Sequence, residues 1–387
     1  MSPAAARDPR LDALRGAALL GILLVNIQSW ASGAPNAIGF LDTDAGAADL
    51  VAYFITATFV AGKFMPLFGM LFGAGFALLY SKLRASYAEP RRLYRRRLLF
   101  LAAFGMLHAL LLYFGDITLA YAVAGLVLLH HADSEVPKLA RATARWWILA
   151  AAWLLISILP FVGSAAEDTE PLIDMVESNL DAVLTLGYAE QWFLRLKMGL
   201  WQMQANFLGL PSIIALMMTG ALAQRAGWLG NACATVSRGA MLLGIGVGLP
   251  AALAYGAWAV THAALEQSLA VPPMVLALQA LSVVLSFFYA TTFLQRAPDA
   301  VVAWLAPAGR MPLSNYLLQS IAMALLLPAW GAGLAASLGY AELSLLAVAV
   351  FVIQVQASRW WLARHALGPL ETLWRAWTYR GAVRQAG

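Results

Sequence analysis

The sequence predicts an all-α, polytopic integral membrane protein of about ten transmembrane helices with short interfacial helices. Three observations predict it. The chain is 61% hydrophobic and only 12% charged, with mean hydropathy +0.72, whereas about a quarter of the residues in soluble domains are charged. Apolar runs of roughly 17–25 residues, the length that crosses hydrocarbon, recur along it. The basic residues sort to one side: with the amino terminus inside, 22 of the 25 Lys and Arg fall in cytoplasmic segments, and only Lys63, Arg195 and Lys197 do not. The positive-inside rule then puts both termini in the cytoplasm.

The spans read as about 12–30, 62–82, 97–114, 117–131, 146–164, 199–222, 239–261, 272–294, 312–329 and 341–358. The first contains LDALRGAALLGILLVN, Leu11 to Asn26, which opens with an acid and a base and carries an amide into lipid. At 100° per residue, Asp12, Arg15 and Asn26 fall within about 60° of one another, with Asn26 roughly 16 Å further along. That stripe must face protein or water, and Asp12 and Arg15 are expected to pair at the start of the helix. Arg7 and Arg10 before the run also suit a cleavable signal, but Leu14 to Trp30 is long enough to span and further spans follow.

Leu50 to Tyr80 is too long for one upright helix. Leu50 to Ala61 is therefore expected to be a surface or re-entrant piece, broken from the second span near Lys63 by Gly62 and Pro66. In HALLLYFGDITLAY, His108 to Tyr121, one span ends and the next begins almost without a loop, a tight turn assigned to Gly115. Asp116 sits at the outer rim, either as an N-cap or as a site residue. His108 lies roughly 12 Å below it if helical, either as a core histidine or as a base. Asn26, Lys63 and Asp116 share the outer half of the membrane, where a buried Lys and Asp are cheaper paired than apart. The candidate catalytic residues are thus His108, Asn26, Asp116 and Lys63.

Other polar groups suit helix association: Gln202 with Asn206, and Asn315, Tyr316 and Gln319. Gly69 and Gly73 form a GxxxG pair suited to close packing. The run RRLYRRR, with Arg91, Arg92, Arg95, Arg96 and Arg97, can bind acyl-CoA phosphates or an anionic lipid head, although topology alone also explains it. Acids crowd one outer loop at about 165–195, and tryptophans mark both membrane edges. The inner tail, about 364–387, sets Leu370, Leu373, Trp374 and Trp377 on one helical side and is expected to lie on the inner leaflet. No second domain or repeat is visible, so residues 1–387 form a single transmembrane domain. One cysteine, Cys233, excludes an internal disulfide, and five histidines without close ligand spacing lead to no expected metal site. A nucleic-acid partner is not expected either.

LDALRG with VN, KFMPLFGMLFGAGF, RRLLFLAAFGMLHALLLYFGDITLAYA, GRMPLSNYLLQS and GPLETLWRAWTY together resemble the YeiB-like bacterial membrane proteins, domain of unknown function family 418. The likeness runs along nearly the whole chain and implies a bacterial cytoplasmic (inner) membrane. That family is similar in its first helix to transmembrane acyltransferases, including the heparan-alpha-glucosaminide acetyltransferase group. By that resemblance Asp12 and Arg15 match the shared helix start, and Asn26 matches an active-site asparagine. The histidine that follows this asparagine in that group has no counterpart between Ile27 and Asp49, a departure under which acyl transfer requires His108 to supply the base from another helix.

Acyl transfer from a thioester to a hydroxyl needs a base and oxyanion donors. His108 or Asp116 suits the first role, and Asn26 with Lys63 the second. The leading expectation is an acyltransferase-like protein that moves an acyl group from a cytoplasmic acyl-CoA to a lipid or glycan acceptor at the outer face. In that reading acyl-CoA is a co-substrate and no cofactor is held permanently. The alternatives are a transporter or lipid flippase with a polar site at Lys63, His108 and Asp116, and a non-catalytic membrane scaffold.

Overall fold

The first helix, α1 (Pro9–Ser32), is the strut against which much of the bundle rests. Asp8 caps it by accepting from the Arg10 amide at 2.8 Å, and Gly33, at φ 65°, ends it. The structure is a computed structural model that describes residues 8–33, 40–41, 45–158, 170–229, 233–264 and 273–384. Among these residues the architecture is all-α. Glu167 and Asp168 of the acidic segment lie outside the described residues.

The long apolar stretch after α1 breaks where the sequence places the break. Helix α2 (Ala47–Ile55) passes through a π-helical turn, Thr56–Val60, and α3 (Phe64–Ser86) resumes after it. Gly62 makes the corner at φ 72°, a conformation that costs a side-chain-bearing residue about 1 kcal/mol or more. Next come α4 (Pro90–Leu111), α5 (Thr118–His130), α6 (Val136–Ile158), α7 (Glu170–Thr185), α8 (Tyr188–Leu208) and α9 (Leu210–Arg225). The second half holds α10 (Cys233–Leu243), α11 (Leu249–Thr261), α12 (Pro273–Ser282), α13 (Val284–Arg296), α14 (Asp299–Arg310), α15 (Pro312–Leu326), α16 (Tyr340–Leu362) and α17 (Pro369–Tyr379).

Among the described residues six helical stretches are long and apolar enough to cross a membrane: Pro9–Ser32, Ala47–Ser86, Val136–Ile156, Ser237–Thr261, Val275–Arg296 and Tyr340–Leu362. A seventh is formed if α8 and α9, bent by 59°, count as one. This is a polytopic membrane protein. The expected spans near 117–131 and 312–329 are helices of 13 and 15 residues, shorter than the roughly 20 that a crossing requires. Both start within the bundle, beside the polar groups described below.

Three segments depart from expectation. The acidic outer loop is largely helix: α7 turns Val176, Asn179 and Ala182 inward and leaves Asp174, Glu177 and Asp181 exposed. The connection before the ninth expected span is also helical, and α14 packs along the first half of α1 in a core with Leu19, Leu305 and Phe351. The tail helix α17 docks on protein rather than lying freely on a leaflet. Its apolar residues form two stripes four residues apart: Leu370 and Trp374 face the bundle, while Leu373 and Trp377 face outward. Trp374 donates its indole N–H to the Arg97 carbonyl at 2.8 Å, and the Arg97 guanidinium lies over the ring at 3.4 Å. Glu371 accepts from the amides of Leu313 at 2.8 Å and Ser314 at 3.2 Å, closing the open amino end of α15.

The amides of the later helices act as glue. Asn315 donates to Ala308 O and Ser358 Oγ, both at 3.0 Å, Gln319 to Gln354 at 3.1 Å, and Gln354 back to Asn315 O at 3.1 Å. Gly73 on α3 and Gly220 on α9 face each other's backbone so closely that a Cβ on either would stand 1.8 Å from a carbonyl oxygen.

Because Glu371 holds α17 against α15, Glu371→Ala should loosen the tail without unfolding the bundle. Amide exchange over residues 369–379 is expected to speed up on the order of tenfold. Unchanged exchange there would show that the carboxylate does not fasten the tail.

Candidate functional site

Four elements bring polar groups together deep in the bundle. His108 lies near the end of α4, Asp116 in the turn that follows, Thr118 at the start of α5, and Tyr316 and Ser320 one turn apart on α15. His108 Nδ1 is 2.9 Å from Asp116 Oδ2, and its Nε2 is 2.8 Å from Ser320 Oγ. The side chains of His108 and Asp116 are each 1% exposed, and Ser320 is buried. A carboxylate only accepts, so Nδ1 carries the proton in the neutral ring and Nε2 accepts from the Ser320 hydroxyl. The order is serine, histidine, aspartate, with the imidazole in the middle.

Asp116 is itself held from several sides. Its Oδ1 accepts from the amides of Thr118 at 2.8 Å and Leu119 at 3.2 Å and from Thr118 Oγ1 at 2.9 Å. Tyr316 donates to Oδ2 at 3.4 Å, and Asn206 donates to the Asp116 carbonyl at 2.7 Å. Asp116 thus caps the open amides at the start of α5 and at the same time holds the His108 ring. The close approach of α4 to this turn requires Gly105, since a Cβ there would stand 2.4 Å from Thr118 Oγ1. Gly115 makes the tight turn without taking a positive φ. Its need for glycine is space, because a Cβ would run into the Tyr113 ring at 2.5 Å.

Two hollows lie on the basic side of this cluster, and the smaller one touches it at Thr118 and Tyr316. The larger, about 970 Å³, opens at the basic end of the bundle, and its walls include Arg15, Lys82, Arg97, Arg310 and Arg375 together with Asp8, Asp12 and Glu371. Its size lies within the roughly 300–1,000 Å³ typical of small-molecule sites. Phe68, Phe72, Pro312 and Trp374 wall it and also wall a narrow apolar cavity of about 90 Å³. The cavity reaches Asn26, Gly115, Thr118 and Tyr316. Asn26 is half-buried there, and its side-chain amide donates to no described residue.

The remaining sequence candidates divide. Arg15 donates to Asp12 at 2.6 Å with Asp12 buried, and both line the basic hollow. Lys63 does not meet Asp116, which overturns the expected pairing. The π-helical turn leaves the Ala57 carbonyl open, and the fully buried Lys63 ammonium fills it at 3.0 Å, 5.8 Å from the centre of the Tyr255 ring. Of the five arginines, Arg97 alone lines the basic hollow. Arg91, Arg92 and Arg95 line a separate, shallow surface pocket, where Arg91 binds Asp133 at 2.7 Å and Arg92 binds Glu89 at 2.7 Å. Arg96 holds the Arg380 carbonyl of the tail. Sequence reasoning missed Ser320, and the signal was its spacing of four from Tyr316 in SNYLLQS.

Comparison with known proteins places this architecture in a family. Residues 223–381 match the family model described as "Protein of unknown function (DUF418)". The "Uncharacterized protein YeiB" of Escherichia coli (strain K12) is 31% identical over 97% of this chain and 97% of its own length. The chain belongs to the DUF418 family. A second relative, the "Uncharacterized protein YxaH" of Bacillus subtilis (strain 168), is 29% identical over 95% of this chain and 93% of its own. No solved structure matches.

Asp116→Ala would leave His108 Nδ1 and two amides of α5 without an acceptor inside the bundle. A loss of about 2–4 kcal/mol is expected, read as a lower Tm in detergent, with Asp116→Asn, which keeps one acceptor oxygen, losing less. An unchanged Tm for the alanine variant would mean that water already satisfies these groups.

Proposed function

We propose that this protein is a bacterial inner-membrane acyltransferase. In this reading ten crossings place both termini in the cytoplasm, with α5 and α15 completing short crossings, and the basic hollow opens inward. It takes the nucleotide end of an acyl-CoA, whose phosphates meet Arg15, Lys82, Arg97, Arg310 and Arg375. The thioester arm lies along Phe68 and Phe72 into the apolar cavity, and a lipid or glycan acceptor arrives from the other side.

The observation that carries the reading is the shared wall between the basic hollow and the apolar cavity, which ends beside Asn26 and the turn that holds Asp116. A phosphate-bearing head with a long, thin, apolar-lined arm suits that shape. His108, oriented by Asp116, is poised to take a hydroxyl proton through Nε2, and Asn26 offers a donor toward the cavity for a developing oxyanion. Asp12 restrains Arg15 at the mouth.

A carrier is the second reading, favoured by one observation: the buried Lys63 ammonium has a carbonyl and an aromatic ring as its partners among the described residues, with no carboxylate. In that case Lys63 variants would abolish movement of an unmodified solute.

Reconstituted protein incubated with labelled acyl-CoAs and a membrane lipid and glycan extract should yield an acylated product. His108→Ala should abolish the product while leaving acyl-CoA binding nearly intact, and Asn26→Ala should slow transfer on the order of a hundredfold. No product from any acyl-CoA, with Lys63-dependent solute movement intact, would replace the enzyme reading with the carrier.

A further inference from the structure

We propose that Ser320 carries the acyl group as a covalent ester between donor and acceptor. The inference rests on the acyl-transfer reading and goes beyond it, since His108 could equally serve a direct transfer. Three observations favour the serine. Its hydroxyl already occupies the Nε2 position of His108 at 2.8 Å, which an acceptor hydroxyl would have to take from it. A serine inside a helix ordinarily satisfies itself on the carbonyl four residues back. Here the bond to Tyr316 O is a loose 3.4 Å, and the side chain favours the imidazole. The imidazole is in turn fixed through Nδ1 by a carboxylate that accepts from two backbone amides. This is the arrangement that turns a weak hydroxyl into a nucleophile.

Access runs past Tyr316. Its ring lines the apolar cavity and lies 4.8 Å from the centre of the His108 ring, so this one side chain stands between the cavity and the His108–Ser320 pair, and the proposal requires it to turn aside. A fixed carrier also suits a cavity too narrow to hold two substrates side by side, because each can then enter in turn.

The chemistry balances without a further reactant. As Ser320 Oγ attacks the thioester carbonyl, its proton passes to His108 Nε2. The carbon–sulfur bond breaks, and the departing sulfur takes that proton, leaving free coenzyme A and an ester on Ser320. The acceptor hydroxyl then gives its proton to Nε2 and attacks the ester carbonyl. The bond to Ser320 Oγ breaks, and Oγ recovers the proton from His108.

The test uses the full chain in liposomes with radiolabelled acetyl-CoA and palmitoyl-CoA, first without acceptor. Expected are a burst of free coenzyme A approaching one per chain and a label on the peptide containing Ser320, located by mass spectrometry. Ser320→Ala should lose the label and slow transfer at least a hundredfold, while acyl-CoA still raises its Tm as for the unaltered protein, which shows that it is folded. Ser320→Cys should trap the acyl group as a thioester released by neutral hydroxylamine. Transfer by Ser320→Ala within a few-fold of the unaltered protein would overturn the covalent step and leave direct transfer standing. If the unaltered protein releases no coenzyme A and acylates nothing with either donor, the acyl-transfer reading falls and takes the serine ester with it.

Discussion

Hydrocarbon offers no partner to a polar atom, and that fact places much of the buried polar network of these helices. The cluster around His108 is the clearest case. Its ring nitrogens are both used, and Asp116 gathers two amides, a threonine hydroxyl, a tyrosine hydroxyl and the imidazole. Because Asp116 satisfies the amides of Thr118 and Leu119, α5 can begin inside protein instead of at a membrane surface. Glu371 does the same for α15 from the other end, so these two short helices both begin on a carboxylate.

The same constraint explains Lys63. A π-helical turn widens the backbone ring and leaves the Ala57 carbonyl facing inward, and the ammonium of Lys63, six residues further on, reaches back to it. Ser286 closes the Lys63 carbonyl from α13 at 2.6 Å. The corner at Gly62 is thus satisfied on both sides by local groups, and Asp116 has no part in it. Depth alone brought Lys63 and Asp116 together in the sequence reading, but two groups at one depth in a bundle of this width can still stand on different helices' far faces.

What the sequence made legible was set by local periodicity. The Asp12 and Arg15 pair sits three residues apart on one helix, the Gly62 break interrupts an overlong apolar run, and His108 and Asp116 are eight residues apart across a turn. Each follows from spacing within one short segment. Ser320 was hidden because its partner is 212 residues away, and the hydroxyl of a helical serine is unremarkable until something faces it. The arginine run misled for a different reason. At 100° per residue Arg91 and Arg95 share one face, Arg92 and Arg96 the next, and Arg97 falls opposite with Tyr94 and Leu101, toward the bundle. A run that is dense in sequence is therefore scattered around the helix, and the cations that line the basic hollow come instead from α1, α3, α4, α14 and α17.

The tail shows how these pieces depend on one another. Trp374 is the one residue of α17 that walls both the basic hollow and the apolar cavity. It is fixed by the Arg97 carbonyl beneath its indole nitrogen and by the Arg97 guanidinium on its face. One arginine thereby does two things: its charge belongs to the mouth of the hollow, and its stacking sets the ring that narrows the way inward. Under the acyl-transfer proposal, an anion that draws the Arg97 guanidinium off the ring would loosen the Trp374 wall as it binds, and would couple phosphate recognition at the basic end to the width of the apolar cavity through a single side chain.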